Sequence, residues 1–280
     1  MQVSTQRKIY HGSAIVIFSL LFLGSIVLFA SVDHPRSNEN WDLLIFTQHW
    51  PNTVCLLWEE KTLHKVSGNH TCSFPRHQGV WSIHGIWPTK LGTKGPIFCN
   101  TSYHFNSSQL EPIETNLTDY WVDIERPSTK YAFWRHEWRK HGTCATVLPQ
   151  LDTEVKYFTQ GLEWIQQYNM ADVLGRGGVL ASDERGYKLS VLWNAVTRVL
   201  GKNPDIQCVK DSVSGQWFIF ELRICFNKIL ELTDCDGIKL SNNGFWKSNM
   251  ITNCPEDLPI QYPNTLPSPK KKTFTKTSYR

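Results

Sequence analysis

The chain has 280 residues, 41% of them hydrophobic, with twelve tryptophans and a formal charge of +4. That length suits one sizeable domain, or two small ones at most, with a packed core. Seven basic residues (Arg7, Lys8, Lys270, Lys271, Lys272, Lys276 and Arg280) sit at the two ends, leaving 22 basic against 25 acidic residues, about −3, so the body lacks the broad basic footprint of a non-specific polyanion binder.

The first element is apolar. Ser13 to Val32 carries no charge and follows Arg7 and Lys8, which reads as a secretory signal peptide or an uncleaved type II signal anchor. Either reading keeps the N-terminus cytosolic and sends the rest to the lumen. The polar arm of residues 33–40 favours cleavage. Eight cysteines follow, all beyond this segment and with no Cys-x-x-Cys pair. An even count of this kind fits disulfides better than zinc, with 105 pairings open. Asn69, Asn100, Asn106 and Asn116 each begin an Asn-x-Ser/Thr glycosylation pattern, which also points to a lumenal surface.

Trp41 to His49 reads as a buried strand ended by Trp50-Pro51. Cys55 to Gly79 is loop-like, and Val80 to His84 forms a second short strand with His84 at its end and Gly85 after it. Gly92 to Asn116 is a surface excursion. Tyr131 to His141 has helical composition and stops at Gly142, a C-terminal cap. Helices follow at Thr153–Tyr168, at Ala171–Leu174 and from a Ser190 cap to Leu200, ended by Gly201. Asp205–Val209, Gln216–Phe226 and part of Ile229–Cys235 are strands. Prolines recur from Pro255 onward, and the basic end lacks any period. The layout is a leader at 1–32, an arm at 33–40, a catalytic domain at 41–256 and a Pro/Lys-rich flexible tail at 257–280. Strands and helices without regular alternation predict an α+β fold, mainly an antiparallel sheet packed against helices.

Two segments can carry chemistry. In a regular helix His136, Lys140, Glu137 and His141 stand at about 0°, 40°, 100° and 140°. One face then holds two imidazoles, a carboxylate and an ammonium, enough to bind phosphate, move protons and stabilise developing charge. The plain alternative is a solvated face of ion pairs, but the flanking Trp134, Trp138 and Cys144 weaken it. The helical zinc motif needs histidines four apart; these are five apart, and no third ligand is evident, so a metal site is not expected. The second segment, Trp81-Ser-Ile-His84-Gly85-Ile-Trp87-Pro88, sets a histidine among tryptophans, glycine and proline, a shaped and partly exposed pocket rather than plain core.

Together these segments resemble the ribonuclease T2 family, whose signatures read aromatic-x-Ile-His-Gly-Leu-Trp-Pro and His-Glu-Trp-x-Lys-His-Gly-x-Cys. The present residues are Trp81 to Pro88 and His136 to Cys144, departing only at Ile86. The likeness extends from Trp41 to Cys254, through Gln48 to Pro51 and the cysteine order. It implies a disulfide-stapled endoribonuclease that works on single-stranded RNA, without cofactor or metal and as a monomer. It further implies His141 as general base, His84 as general acid, Glu137 and Lys140 as stabilisers of the transition state and His136 as a phosphate ligand. RNA supplies its own 2′-hydroxyl nucleophile, so DNA is not a substrate, and the ends formed are a 2′,3′-cyclic phosphate and a 5′-hydroxyl. The pairs implied are Cys55–Cys72, Cys99–Cys144, Cys208–Cys254 and Cys225–Cys235. Base-stacking candidates are His49, Trp50 and Trp87. The resemblance places the protein in the secreted or endolysosomal lumen, reached through the endoplasmic reticulum. The rival from another class is a non-catalytic scaffold, which the filled motif positions disfavour.

Overall fold

The computed structural model describes residues 40–63, 70–93, 95–238 and 250–267. The leader, most of the arm, Asn69 and residues 268–280 lie outside them. The expected α+β architecture is present. An eight-stranded, mostly antiparallel sheet runs in the order β3 (Ser82–Thr89), β1 (Leu43–His49), β7 (Trp217–Phe226), β10 (Ile260–Tyr262) and β5 (Ser182–Tyr187), with β6 (Asp205–Lys210) and β8 (Leu232–Thr233) on β7 and β9 (Ile251–Thr252) on β6.

Strand β1 (Leu43–His49) is buried at every position, because β3 and β7 flank it and both its faces are covered. Pro51 then opens α1 (Pro51–Leu63). The reading of Cys55 onward as loop is overturned here. Proline at the first helical position lacks only an N–H that has no partner anyway, and its φ suits the helix. The helix was hidden because it carries no regular apolar stripe; Val54 and Cys55 instead pack into a small separate cluster with Val122 and Ile124. The Cys55–Cys72 disulfide holds it to β2 (Thr71–Cys72), which pairs with β4 (Glu125–Arg126).

Strand β3 (Ser82–Thr89) is longer than expected. Its Pro88 is tolerated because β3 is an edge strand, where a missing N–H breaks no ladder bond on the open side. Within Gly92 to Asn116 a 3₁₀ turn (Ser107–Ile113) forms, capped by Asn106, and α2 (Glu114–Tyr120) follows. Next come α3 (Ala132–Glu137), a π-turn (Trp138–Gly142), α4 (Thr143–Ala145), α5 (Glu154–Gln167) and α6 (Met170–Arg176). Thr153 caps α5 by accepting from the Lys156 N–H at 3.3 Å. Trp164 of α5 lies between Phe46 of β1 and Phe226, stacked on the latter at 3.8 Å between ring centroids. That contact seats the helix on one face of the sheet.

Strand β5 (Ser182–Tyr187) precedes α7 (Leu189–Leu200), with Lys188 rather than Ser190 at the cap and Gly201 at φ 67° closing the far end. The remaining strands are β6 (Asp205–Lys210), β7 (Trp217–Phe226), β8 (Leu232–Thr233), β9 (Ile251–Thr252) and β10 (Ile260–Tyr262). The boundary expected at 256 falls inside the folded body. Strand β10 lies between β7 and β5, Ile260 and Tyr262 are buried, and the Trp81 indole donates to the Tyr262 hydroxyl at 2.9 Å. Three residues between prolines are too few to show a period, so only pairing reveals this strand. Four disulfides join Cys55 to Cys72, Cys99 to Cys144, Cys208 to Cys254 and Cys225 to Cys235, the same four pairs the resemblance implies.

Candidate active site

The position of His84 comes from a pairing irregularity. On β3 Gly85 faces Thr47, while Ile83 faces Gln48. One residue of β3 is therefore extra: His84 forms a β-bulge in mid-strand, not a strand end. Regular alternation would send His84 and Trp87 to opposite faces. The bulge turns His84 to the face of Trp87, with ring centroids 5.0 Å apart and nearly perpendicular. Glycine at 85 is needed for space. A Cβ there would collide with the Glu137 carboxylate and the Trp87 indole nitrogen.

The second segment departs from a regular helix in the same way. Gly142 is right-handed helical (φ −56°, ψ −41°) and does not cap the segment. The Thr143 N–H bonds back to the Trp138 carbonyl, five residues earlier, and the chain continues into α4. Gly142 serves the Trp138 ring, which a Cβ would strike. The wider π-turn reduces the divergence of about 140° expected between His136 and His141 in a regular helix. Cys99–Cys144 and a 2.8 Å bond from the Phe98 N–H to the Lys140 carbonyl tie this turn to the preceding loop.

The site residues converge on Glu137, which is 1% exposed. Its Oε1 lies 4.0 Å from Nε2 of His84 and 4.0 Å from Nε2 of His136, and its Oε2 accepts from Trp87 Nε1 at 3.0 Å. Burial raises the Glu137 pKa, opposed by His84, the Trp87 bond and Lys140. The His141 ring lies 5.2 Å from that of Trp87 and is buried. Burial first, then Lys140, His84 and His136, hold His141 well below 6.5. His136 is half exposed and is lowered by burial and by Lys140. His84 goes the other way. Burial opposes its charged form, but the charge and hydrogen bond of Glu221, with Glu137, more than offset this and raise it. Both imidazoles thus pack against Trp87, His141 biased toward its neutral form and His84 toward its charged form.

Strand β7 contributes residues the motifs did not include. Glu221 Oε1 is 2.6 Å from His84 Nδ1, and its Oε2 accepts two bonds from Arg223, which also reaches Asp205 at 2.9 Å. Two opposite charges two apart in an otherwise apolar strand were the available signal, since such residues share a face. Phe133 was also missed. Its ring is 5.9 Å from that of His84, and it lines a cavity of about 470 Å³ with Trp121, Tyr131, Trp134, Asp123 and Arg126. The Trp121 indole donates to the His84 carbonyl, so this cavity adjoins the bulge.

The stacking candidates fare differently. Trp50 is 1% exposed, donates to the Pro263 carbonyl and packs on Trp81 and Tyr262; it is core. His49 is 5% exposed and lies against the rings of His84 and Phe133, and burial first, with His84, lowers it to about 3. Neither offers a free face. Trp87 is partly exposed, with its ring engaged by His141 and by the Arg223 guanidinium at 5.3 Å. Of the sequon asparagines, Asn106 and Asn116 are exposed and Asn100 is partly exposed. Among the described residues one trio could in principle ligate a metal, Cys55, Glu59 and Cys72, but its cysteines form a disulfide.

Comparison with known proteins agrees with this geometry. The model of the ribonuclease T2 family matches residues 41–235. Ribonuclease Oy of Magallana gigas is 35% identical over 80% of this chain and 97% of its own length. Ribonuclease T2 of Danio rerio is 33% identical over 89% of this chain and 95% of its own. The crystal structure of human RNase T2 superposes with a TM-score of 0.60 at 30% identity, covering 80% of this chain and 99% of that one. A structure of RNase NT in complex with 5′-AMP shares the fold, with a TM-score of 0.63 at 24% identity over 80% of this chain and 98% of that one. A bulged strand histidine facing a His-Glu-x-x-Lys-His helical turn, on this sheet and with these disulfides, accompanies a match over most of the chain: it belongs to the ribonuclease T2 family, a family of endoribonucleases.

Proposed function

We propose that this site cleaves single-stranded RNA by internal transphosphorylation, with His141 as base and His84 as acid. The carrying observation is the packing of two imidazoles against one ring, Trp87, with His141 biased toward its neutral form and His84 toward its charged form. His141, held neutral, takes the proton of the 2′-hydroxyl as the 2′-oxygen bonds to phosphorus. The bond from phosphorus to the 5′-oxygen breaks, and the His84 imidazolium gives that oxygen its proton through Nε2, since Nδ1 is held by Glu221. The products are a 2′,3′-cyclic phosphate and a 5′-hydroxyl. The substrate supplies the nucleophile, so the step needs no metal, and DNA without that hydroxyl is not cut. His136, half exposed at the rim, and Lys140 hold the phosphate; Glu137 and Lys140 stabilise the crowded transition state. A base enters the cavity at Phe133 rather than stacking on Trp50 or His49.

Four disulfides, the exposed sequon at Asn106 and the leader support a lumenal, glycosylated protein. No helix among the described residues is long and apolar enough to cross a membrane, and Ser13 to Val32 lies outside them. Mass spectrometry of the mature N-terminus separates cleavage from anchoring. For the reaction, His84→Phe and His141→Phe are assayed on single-stranded RNA with the ends analysed. Loss of the cyclic phosphate in both supports the mechanism, whereas full cleavage by either removes it.

A further inference from the structure

Four charged groups lie side by side beneath the cleft, Glu221 and Asp205 buried and His84 and Arg223 partly buried, and the transphosphorylation step uses only one of them. Strand β1 lies between β3 and β7, and His49 of β1 is in register with Glu221 of β7. The bulge puts His84 on that same face, so its ring reaches past β1 to Glu221 at 2.6 Å. Arg223, two residues on and on the same face, gives Glu221 Oε2 two bonds of 2.6 and 3.1 Å. It gives Asp205 a third at 2.9 Å, and the Gln207 amide also donates to Asp205. Glu221 is 2% exposed and Asp205 0%. With His84 protonated, the set Asp205, Arg223, Glu221 and His84 sums to zero charge, the condition under which buried ions are tolerated.

We propose that Glu221, braced by Arg223 and Asp205, is the positioning residue of the acid: it fixes the His84 ring through Nδ1 and keeps the proton on Nε2 facing the scissile phosphate. This rests on the transphosphorylation reading above. A carboxylate on one ring nitrogen fixes the tautomer and favours the imidazolium. Arg223 has its own task. A lone carboxylate against an imidazolium could take the proton and leave a neutral, weaker acid. The guanidinium keeps Glu221 ionised, at a pKa of about 2 although burial alone would raise it. Asp205 in turn balances Arg223. The other charged or titratable groups acting on His84 are few. Glu137 from α3 favours its charge and Arg223 opposes it, while His49 of β1, His136 of α3 and His141 of the π-turn couple to it. Glu221 meets a ring nitrogen at 2.6 Å, whereas the Glu137 carboxylate stands 4.0 Å from Nε2.

A merely structural ion network predicts lost stability; the positioning role predicts a moved pH profile. The experiment is the pH dependence of kcat/KM for wild type and Glu221→Gln on a short single-stranded RNA, with folding checked by circular dichroism. The alkaline limb reports His84 and the acid limb His141. The expected result is an alkaline limb moved down by about one pH unit, a tenfold loss at any pH on that limb, with the acid limb in place. Glu221→Asp, which restores the charge, returns the limb toward wild type. A folded Gln variant with an unmoved alkaline limb overturns the proposal. An NMR titration of the His84 ring in the wild-type chain needs no variant. A ring titrating above 6.5 supports the proposal and one already neutral at pH 6 overturns it. The parent reading fails separately, through an absence of cleavage by wild type from pH 4 to 8 or full cleavage by His84→Phe.

Discussion

Gly85→Ala tests how tightly the two candidate catalytic segments are packed, with the addition of a single methyl group. Built on the native backbone, that methyl meets the Glu137 carboxylate and the Trp87 indole nitrogen well inside van der Waals contact. Neither is a free side-chain end: they are bonded to each other at 3.0 Å, and Glu137 is 1% exposed. Relief must part that pair or shift the bulge. Overpacking of this kind costs about 1–3 kcal/mol, and leaving a buried group without its partner costs about 1–3 kcal/mol more. In a domain of this size the sum lowers Tm by roughly 5–20 °C. Catalysis is hit harder, because a misplacement of about 1 Å at a reacting centre costs roughly 100-fold. The assay is kcat on single-stranded RNA at a temperature where the variant is folded by circular dichroism. Gly175→Ala is the control, since a Cβ within α6 there meets only Leu180 at an ordinary 3.6 Å. It should leave kcat and Tm unchanged or raise Tm slightly. A folded Gly85→Ala enzyme with wild-type kcat would refute the claim that glycine permits this approach.

Three further outcomes are expected. Trp50→Ala should lower stability by about 3–5 kcal/mol with kcat/KM kept at temperatures where it is folded; Phe133→Ala should keep stability far better and lose roughly 5- to 150-fold in kcat/KM, the worth of one stacked base. Equal kinetic losses in both would return Trp50 to the cleft. Replacing Cys99 and Cys144 together by serine opens a loop of 45 residues of sequence separation, worth about 4 kcal/mol in chain entropy; kcat should fall too, because the bridge sits beside His141, and a stability loss with unchanged kcat argues against that positioning. Glu60 is raised to about 7 by burial and by Asp211 beside it. The native state therefore holds a proton that the unfolded chain releases near 4.5, so this contribution is fully present below pH 4.5 and is lost as pH rises through 7. Glu60→Gln should flatten the fall in Tm between pH 5 and 8, and an unaltered slope would show that the pair is not its source.

The candidate catalytic residues were legible because they are local. His136 to His141 and Trp81 to Pro88 are short runs that carry the family resemblance in their own residues, and the amphipathic stretches of α5 and α7 announce themselves by period. Helix α1 was not legible, for its apolar residues follow no single stripe. Strand β10 was not either, because its order comes from β7 and β5 rather than from its own three residues. Trp50 read as a cleft aromatic beside a strand end; its indole turns inward because the Pro263 carbonyl, 213 residues away in sequence, is there to accept it.

The residues alone sufficed for the family and the fold class, and they singled out the two histidines proposed here as base and acid. Which way His84 faces, and what holds it, come from the fold. A bulge is a property of register between two strands, and neither strand encodes it alone. The same holds for the buried ions. Glu221, Arg223 and Asp205 are unremarked charges until pairing of β6, β7 and β1 brings them beside one imidazole, where Glu221 meets its Nδ1 at 2.6 Å.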